Sequence, residues 1–210
     1  MIVINKFFKT FGLMLLVPVL LMQACNKELP GAVPLTPQTP SGTETILQKL
    51  DAAEFSILKA AVTKASTFAS ATGKLSDILG NADNELTFFA PDNTAILTSF
   101  SLLGLPASPS SLDFFSAGKL DTLLKYHIIG GQLLTTGKIP ATFPNMYLQS
   151  SLVLAPPSAS LPPGLRMPVF LSKVGSAVFV NSVPVTAADI MASNGVMHKT
   201  YIALLPPELL

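Results

Sequence analysis

Thr87-Phe88-Phe89-Ala90-Pro91-Asp92-Asn93-Thr94-Ala95-Ile96 holds a strand, a stop and a helix start in one short run. The β-branched and aromatic residues Thr87 to Ala90 predict a buried strand. Pro91 has no N–H to give to a ladder and stops it. Asp92 or Asn93 then offers a short side-chain acceptor to the first turn of a helix running through Ile96 and Leu97. A buried strand that feeds a helix implies a sheet with helices laid against it, and the flanking sequence extends that unit in both directions.

Upstream, Ile46, Leu47, Leu50 and Ala53 give a first short helical pattern. Asp51-x-x-Glu54 has the form of a capping box for a following helix whose Phe55, Leu58, Ala61 and Val62 share a face. Leu75, Ile78 and Leu79 predict another short helix. Downstream, Pro106 to Ser111 is a Pro/Ser connection, and Ser116 to His127 is helical. Leu120, Leu123, Leu124 and His127 fall at i, i+3, i+4 and i+7, so His127 points to the core with three leucines. Asp121 and Lys125 read as an exposed i, i+4 pair. Gly130-Gly131 reads as a turn. Strands are predicted at Met146 to Leu154, Val169 to Lys173, Ala177 to Val180 and Val183 to Val185. Asn181-Ser182 is a hairpin turn, and Asn194-Gly195 is a stronger turn signal. After it, Val196 to Leu205 reads as a strand with Val196, His198, Thr200, Ile202 and Leu204 on one face. Ala155 to Pro168, with five prolines and a glycine, reads as a long irregular loop. Its apolar groups, Leu161, Leu165 and Met167, are candidate docking residues, because preset prolines lose little entropy on binding. Helices in the first half and strands in the second predict an α+β domain, a sheet covered by short helices.

The N-terminal stretch has a different character. Lys6 and Lys9 precede an uncharged segment, and Phe11 to Met22 is nearly all apolar. That run is shorter than the roughly 20 residues a bilayer span requires, and it has the layout of a secretory signal. It ends in Leu21-Met22-Gln23-Ala24-Cys25, which resembles the bacterial lipobox. The resemblance implies cleavage before Cys25 and lipid on its thiol, with residues 1–24 as a leader. Each buried methylene is worth about 0.8 kcal/mol, so two or more acyl chains anchor stably. From Cys25 the chain carries Pro30, Pro34, Pro37 and Pro40 among few large apolar groups. Residues 25–44 are therefore expected to be an extended linker, reaching about 60 Å at roughly 3.1 Å per residue. Residues 45–207 are left as the domain. The expected location is the cell envelope, on the outer membrane and facing outward.

Composition narrows the function. Only 12% of the residues are charged, and loss of Lys6 and Lys9 takes the net charge from +1 to −1. Nucleic-acid binding calls for a basic face, so no nucleic-acid partner is expected. One cysteine excludes an internal disulfide and a cysteine-rich metal site. His127 and His198 lie on different elements and do not make a metal site by themselves. There is no G-x-S-x-G and no H-E-x-x-H. Asp51, Glu54, Asp83 and Glu85 read as caps and solvated surface. The expectation is a non-enzyme with no catalytic residue, no metal and no cofactor.

Three stretches, in order and in register, carry a family likeness. Thr87 to Ile96 resembles the first conserved box of the fasciclin-like domain. Leu123-Leu124-Lys125-Tyr126-His127-Ile128-Ile129-Gly130-Gly131 resembles its central tyrosine-histidine segment. Asp189-Ile190-Met191-Ala192-Ser193-Asn194-Gly195-Val196-Met197-His198, continuing to Leu204-Leu205-Pro206-Pro207, resembles its second box. Two positions depart from the pattern: Tyr201 stands where an acidic residue is usual, and Asp92 where threonine is. The resemblance implies a β-sandwich or wedge with a layer of short helices, and extracellular adhesion or protein binding rather than catalysis. It also makes Tyr126 and His127 candidate partner contacts, with Asp92 and Asn93 inside the first box. The expected partners are the membrane, through lipid on Cys25, and a protein or matrix or glycan ligand. An alternative is an accessory subunit of an outer-membrane glycan-uptake or other envelope complex, since low charge favours a permanently covered face.

Overall fold

The computed structural model describes residues 39–141, 146–153 and 166–206. The leader, Cys25 and the linker up to residue 38 lie outside the described residues, as do Leu161 and Leu165. Within the described residues the first half is helical: α1 (Ile46–Lys49), α2 (Ser56–Ala65), α3 (Leu75–Gly80), α4 (Asn93–Leu102) and α5 (Ala117–Tyr126). The strands are β1 (Leu86–Pro91), β2 (Ile128–Gly130), β3 (Met146–Val153), β4 (Arg166–Val174), β5 (Ala177–Val180), β6 (Val183–Ala192) and β7 (Gly195–Thr200). They form one sheet in the order β2-β1-β7-β6-β5-β4-β3. Only β1 and β7 run parallel; the other neighbouring pairs are antiparallel. The two ends of that order, β2 and β3, lie against each other, so the sheet curls almost closed. The domain is α+β, as its sequence predicts.

β1 shows why such a sheet needs cover on both sides. Every one of its residues is buried. Leu86, Phe88 and Ala90 face a core made with α1 to α5, whereas Phe89 faces a second core inside the curl with Val169, Leu171 and Val180. A strand buried on both faces reads as a continuous apolar run rather than an alternation. Against it, α2 buries Ile57, Leu58 and Val62. Each such side chain contributes about 1.5–3 kcal/mol when removed from water.

Several expectations change in detail. The capping box sits at Thr45 and Gln48: Thr45 Oγ1 accepts from the Gln48 N–H at 3.3 Å and Gln48 Oε1 from the Thr45 N–H at 2.8 Å. Asp51 and Glu54 form none, because a 3-10 turn at Ala53–Phe55 separates them from the start of α2. Their carboxylates instead meet Lys59 at 2.7 Å and Lys199 at 2.8 Å. Asp121 and Lys125 are not an exposed pair; both are buried under the segment before α3, 2.8 Å apart. The leucines do face the core, but α5 is also covered by Ser70 and Gly73, whose Oγ and carbonyl both accept from Lys125 Nζ. Pro91 ends β1 as its last residue, paired with Thr200, so the strand includes the proline that stops it.

The strands differ too. β2 forms just before the Gly131 turn, where φ is +73°. β6 runs seven residues past the expected Val185, through alanines and Asp189 whose β propensity is low. β4 begins at Arg166, so Met167 and Pro168 belong to a strand and not to the proline-rich loop. Pro168 pairs with Gln149 at the edge of a bulge in β3 that runs on to Val153, the kind of place where a strand tolerates proline. β7 stops at Thr200, and Ile202 and Leu204 do not continue it. The backbone beyond is held by side chains instead: Ala203 N–H donates to Ser99 Oγ at 2.8 Å and Leu204 N–H to His127 Nε2 at 2.8 Å. Residues 42–44, within the stretch expected as linker, are already bonded to the domain: Gly42 N–H donates to Ala192 O at 3.3 Å, and Glu44 O accepts from Ser193 N–H at 2.7 Å.

Candidate functional site

The tyrosine-histidine segment lies where α5 ends and β2 begins. Ser116 caps the helix at its start, its Oγ accepting from the Lys119 N–H at 3.3 Å. Leu120 and Leu124 press α5 into the core, which carries Tyr126 and His127 inward at its last turn. His127 is fully buried. Its Nδ1–H donates to Leu123 O at 2.8 Å, and its Nε2 accepts from Leu204 N–H at 2.8 Å. Those partners require the neutral ring with the proton on Nδ1. Burial lowers its pKa to about 4, against a smaller raising effect of the Leu123 carbonyl. The imidazole thus joins the helix end to the C-terminal segment.

His198 on β7 makes the mirror arrangement. Its Nε2–H donates to Leu134 O at 2.8 Å, and its Nδ1 accepts from Asp189 N–H at 3.2 Å. The ring stacks on Phe89, centroids 5.7 Å apart. Burial lowers its pKa, opposed by the Leu134 carbonyl and by the Asp189 charge. Asp189 has φ +58°, and its carboxylate accepts from Thr136 N–H at 2.8 Å and from the Thr136 hydroxyl. His198 and Asp189 together bind the 134–136 segment across β6 and β7.

Tyr126 joins a third set of elements. Its hydroxyl donates to Pro168 O at 3.2 Å and accepts from Asn181 Nδ2 at 2.6 Å. Burial raises its pKa, and the Asn181 bond works against that. Asn181 Oδ1 in turn accepts from Phe170 N–H at 2.8 Å. Asn181 and Ser182 have φ +47° and +67°, the two left-handed residues of a two-residue hairpin turn. The turn was legible in sequence; the role of its asparagine as a bridge from α5 to β4 was not. Beside Tyr126 lies a surface groove of about 480 Å³, walled by Met167, Pro168, Phe170, Ser182 and Leu205. Phe170 there is 48% exposed. The structure thus brings Tyr126 and Met167 to one groove, and turns His127 away from it.

Asp92 and Asn93 divide the capping work. Asp92 Oδ1 accepts from Ala95 N–H at 2.9 Å and caps α4. Asn93 caps a different helix. Its Oδ1 accepts from Ile57 N–H at 3.0 Å, and its Nδ2 donates to Ala53 O at 2.9 Å and Ser56 Oγ at 3.0 Å. It therefore fixes the start of α2 from the first turn of α4. Asn194, read only as a turn residue, is fully buried and does the same for α1 and α3: Oδ1 accepts from Ile46 N–H at 2.8 Å, and Nδ2 donates to Leu79 O and Asn81 O, both at 2.9 Å. A Cβ on the following Gly195 would stand 2.1 Å from Leu86 O, so only glycine lets β7 approach β1 there. Among the described residues, no three His, Cys, Asp or Glu side chains gather to hold a metal ion.

The segments that supply these clamps are those that carry the likeness in the sequence. The fasciclin domain profile matches residues 60–206, spanning α2 to the C-terminal segment. This chain belongs to the fasciclin domain family. The transforming growth factor-beta-induced protein ig-h3 of Sus scrofa is 34% identical to it over 173 residues, which cover 82% of this chain and 20% of that protein. The same protein of Oryctolagus cuniculus is 33% identical over the same length. The fasciclin chain therefore spans about 20% of the length of these curated relatives. A FAS1 domain pair from the insect cell adhesion molecule Fasciclin I superposes on it with a TM-score of 0.53 at 17% identity, covering 80% of this chain and 52% of that one. At that identity the likeness is one of fold. In this fasciclin domain the two histidines serve as neutral backbone bridges, and the groove beside Tyr126 is the open part of the tyrosine-histidine region.

Proposed function

We propose that this chain is a lipid-tethered envelope protein whose fasciclin domain binds another protein or matrix and catalyses nothing. Membership in the fasciclin family carries the binding part of the reading, supported by the fold shared with a domain pair from an insect cell adhesion molecule; the tether rests on the leader-like stretch that ends at Ala24-Cys25. The arrangement of polar groups agrees with it. His127, His198 and Tyr126 are each engaged in internal hydrogen bonds, and both imidazoles are held neutral. Residues 1–24 serve as the leader, lipid on Cys25 holds the protein in the outer membrane, and the prolines between Cys25 and Ser41 set the domain off the bilayer.

The test is attachment. Cells displaying the full chain should adhere to a coat of extracted surface or matrix protein more strongly than cells carrying Cys25→Ala. Protease treatment of the coat should abolish the difference. Equal attachment by both cell types, or attachment untouched by protease, would refute the binding reading.

A further inference from the structure

The two ends of the sheet meet at a seam. Beside Gly130, where a Cβ would stand 3.6 Å from Ser151 Oγ, β2 and β3 nearly touch without joining in a ladder. Next to that contact the seam opens into a cavity of about 610 Å³, a volume typical of ligand sites, which run from roughly 300 to 1,000 Å³. Buried Ile129 and Leu148 form its floor. Its rim carries three polar side chains, Gln132, Gln149 and Arg166, all exposed.

Arg166 is the sole arginine of the sequence. Among the described lysines, Lys49, Lys59, Lys64, Lys125 and Lys199 sit within ion-pair distance of a carboxylate, and Lys74, Lys119, Lys138 and Lys173 do not. Arg166 likewise has no such partner among the described residues; unlike those lysines it lines the cavity, where none of the described residues is acidic. On the β4 side, β3 bulges between Gln149 and Val153, whose register partners are Pro168 and Arg166. A guanidinium presents a planar fork that fits a carboxylate with two parallel hydrogen bonds, which a lysine cannot match. The Gln132 and Gln149 amides each offer a donor and an acceptor, the same pair a peptide unit offers.

We infer that this seam binds an acidic segment of a partner protein, with Arg166 taking a Glu or Asp carboxylate and Gln132 and Gln149 holding the adjoining backbone. The inference rests on the protein-binding reading above and names the chemistry of one contact. It requires no movement of the buried clamps.

The probe is a fluorescein-labelled Gly-Glu-Glu-Gly peptide, titrated against the full chain in detergent micelles and followed by fluorescence polarisation. The glutamate peptide should bind and its Gly-Gln-Gln-Gly counterpart should not. Arg166→Gln should weaken binding about tenfold, as expected for loss of a charge-assisted pair, with an unchanged melting temperature. Arg166→Lys, which keeps the charge without the fork, should fall between. Equal binding of the two peptides, or an Arg166→Gln protein that binds like wild type, overturns the inference. Arg166-dependent binding of digalacturonate with no binding of the peptide overturns it in favour of a sugar-acid ligand. Failure here with cell attachment intact sinks the seam alone; lost attachment with peptide binding intact sinks the adhesive reading alone.

Discussion

Replacing His127 with glutamine should flatten the acid side of the domain's stability curve. The imidazole is fully buried between Leu123 O and Leu204 N–H, and its pKa is lowered to about 4. An unfolded chain returns it to about 6.5. Between those values the unfolded state binds a proton that the folded state refuses, so stability is complete above the unfolded value and falls as the pH drops toward the folded one. The linkage relation gives a loss of about 1.4 kcal/mol by pH 5.5 and about 2.5 kcal/mol by pH 4.5 from this one group. His198 is shifted in the same direction and carboxylates also titrate in this range, so the quantity to read is the difference between wild type and His127→Gln. Urea unfolding followed by circular dichroism at pH 7.5, 5.5 and 4.5 provides it. The variant should be less stable than wild type at pH 7.5 by about 1–3 kcal/mol, and the gap should shrink by about 2.5 kcal/mol on reaching pH 4.5. A gap that stays constant with pH would mean that His127 is not held neutral inside the fold. A variant that unfolds like wild type yet loses its partner would make His127 a contact residue.

The buried ion pair and the crossed cap give two further outcomes. Lys125→Met should destabilise by about 3–5 kcal/mol, because it strands the Asp121 carboxylate, whose Oδ1 already has no hydrogen-bond partner; adding Asp121→Leu should restore most of the loss in thermal melts, and a double variant no better than the single would show that the pair is not the cause. Asn93→Ala should cost about 2 kcal/mol and raise amide exchange at the start of α2, where Ile57 N–H loses its acceptor; increased exchange confined to α4 would assign Asn93 to its own helix.

How much of this was legible follows from range. Local patterns carried their own answer: the β1 run, the leucine spacing of α5 and the Asn181-Ser182 turn each depend on neighbours a few residues away. The misreadings concern groups whose partners come from far along the chain. Asp121 and Lys125 have the spacing of a surface pair, and nothing nearby announces that Ser70 and Gly73 cover them. Asn93 reads as a cap for the helix it begins, yet it serves the helix that starts 37 residues earlier, at Ser56. β7 looked longer than it is because Ile202 and Leu204 keep its alternation, while the partner for Leu204 N–H is a histidine 77 residues away. The family's own segments named Tyr126 and His127, and only the fold separates the residue beside the groove from the one sealed in the core. The seam at Arg166 left no local signal, since it arises from the curl that brings the first and last strands of the sheet order together.

The tether is tested most directly by the intact mass of the mature protein, extracted in detergent from membranes of the cell that makes it. The account predicts a polypeptide that begins at Cys25 and carries the added mass of a diacylated thioether. A chain that begins elsewhere, or one whose Cys25 thiol is unmodified, would contradict it.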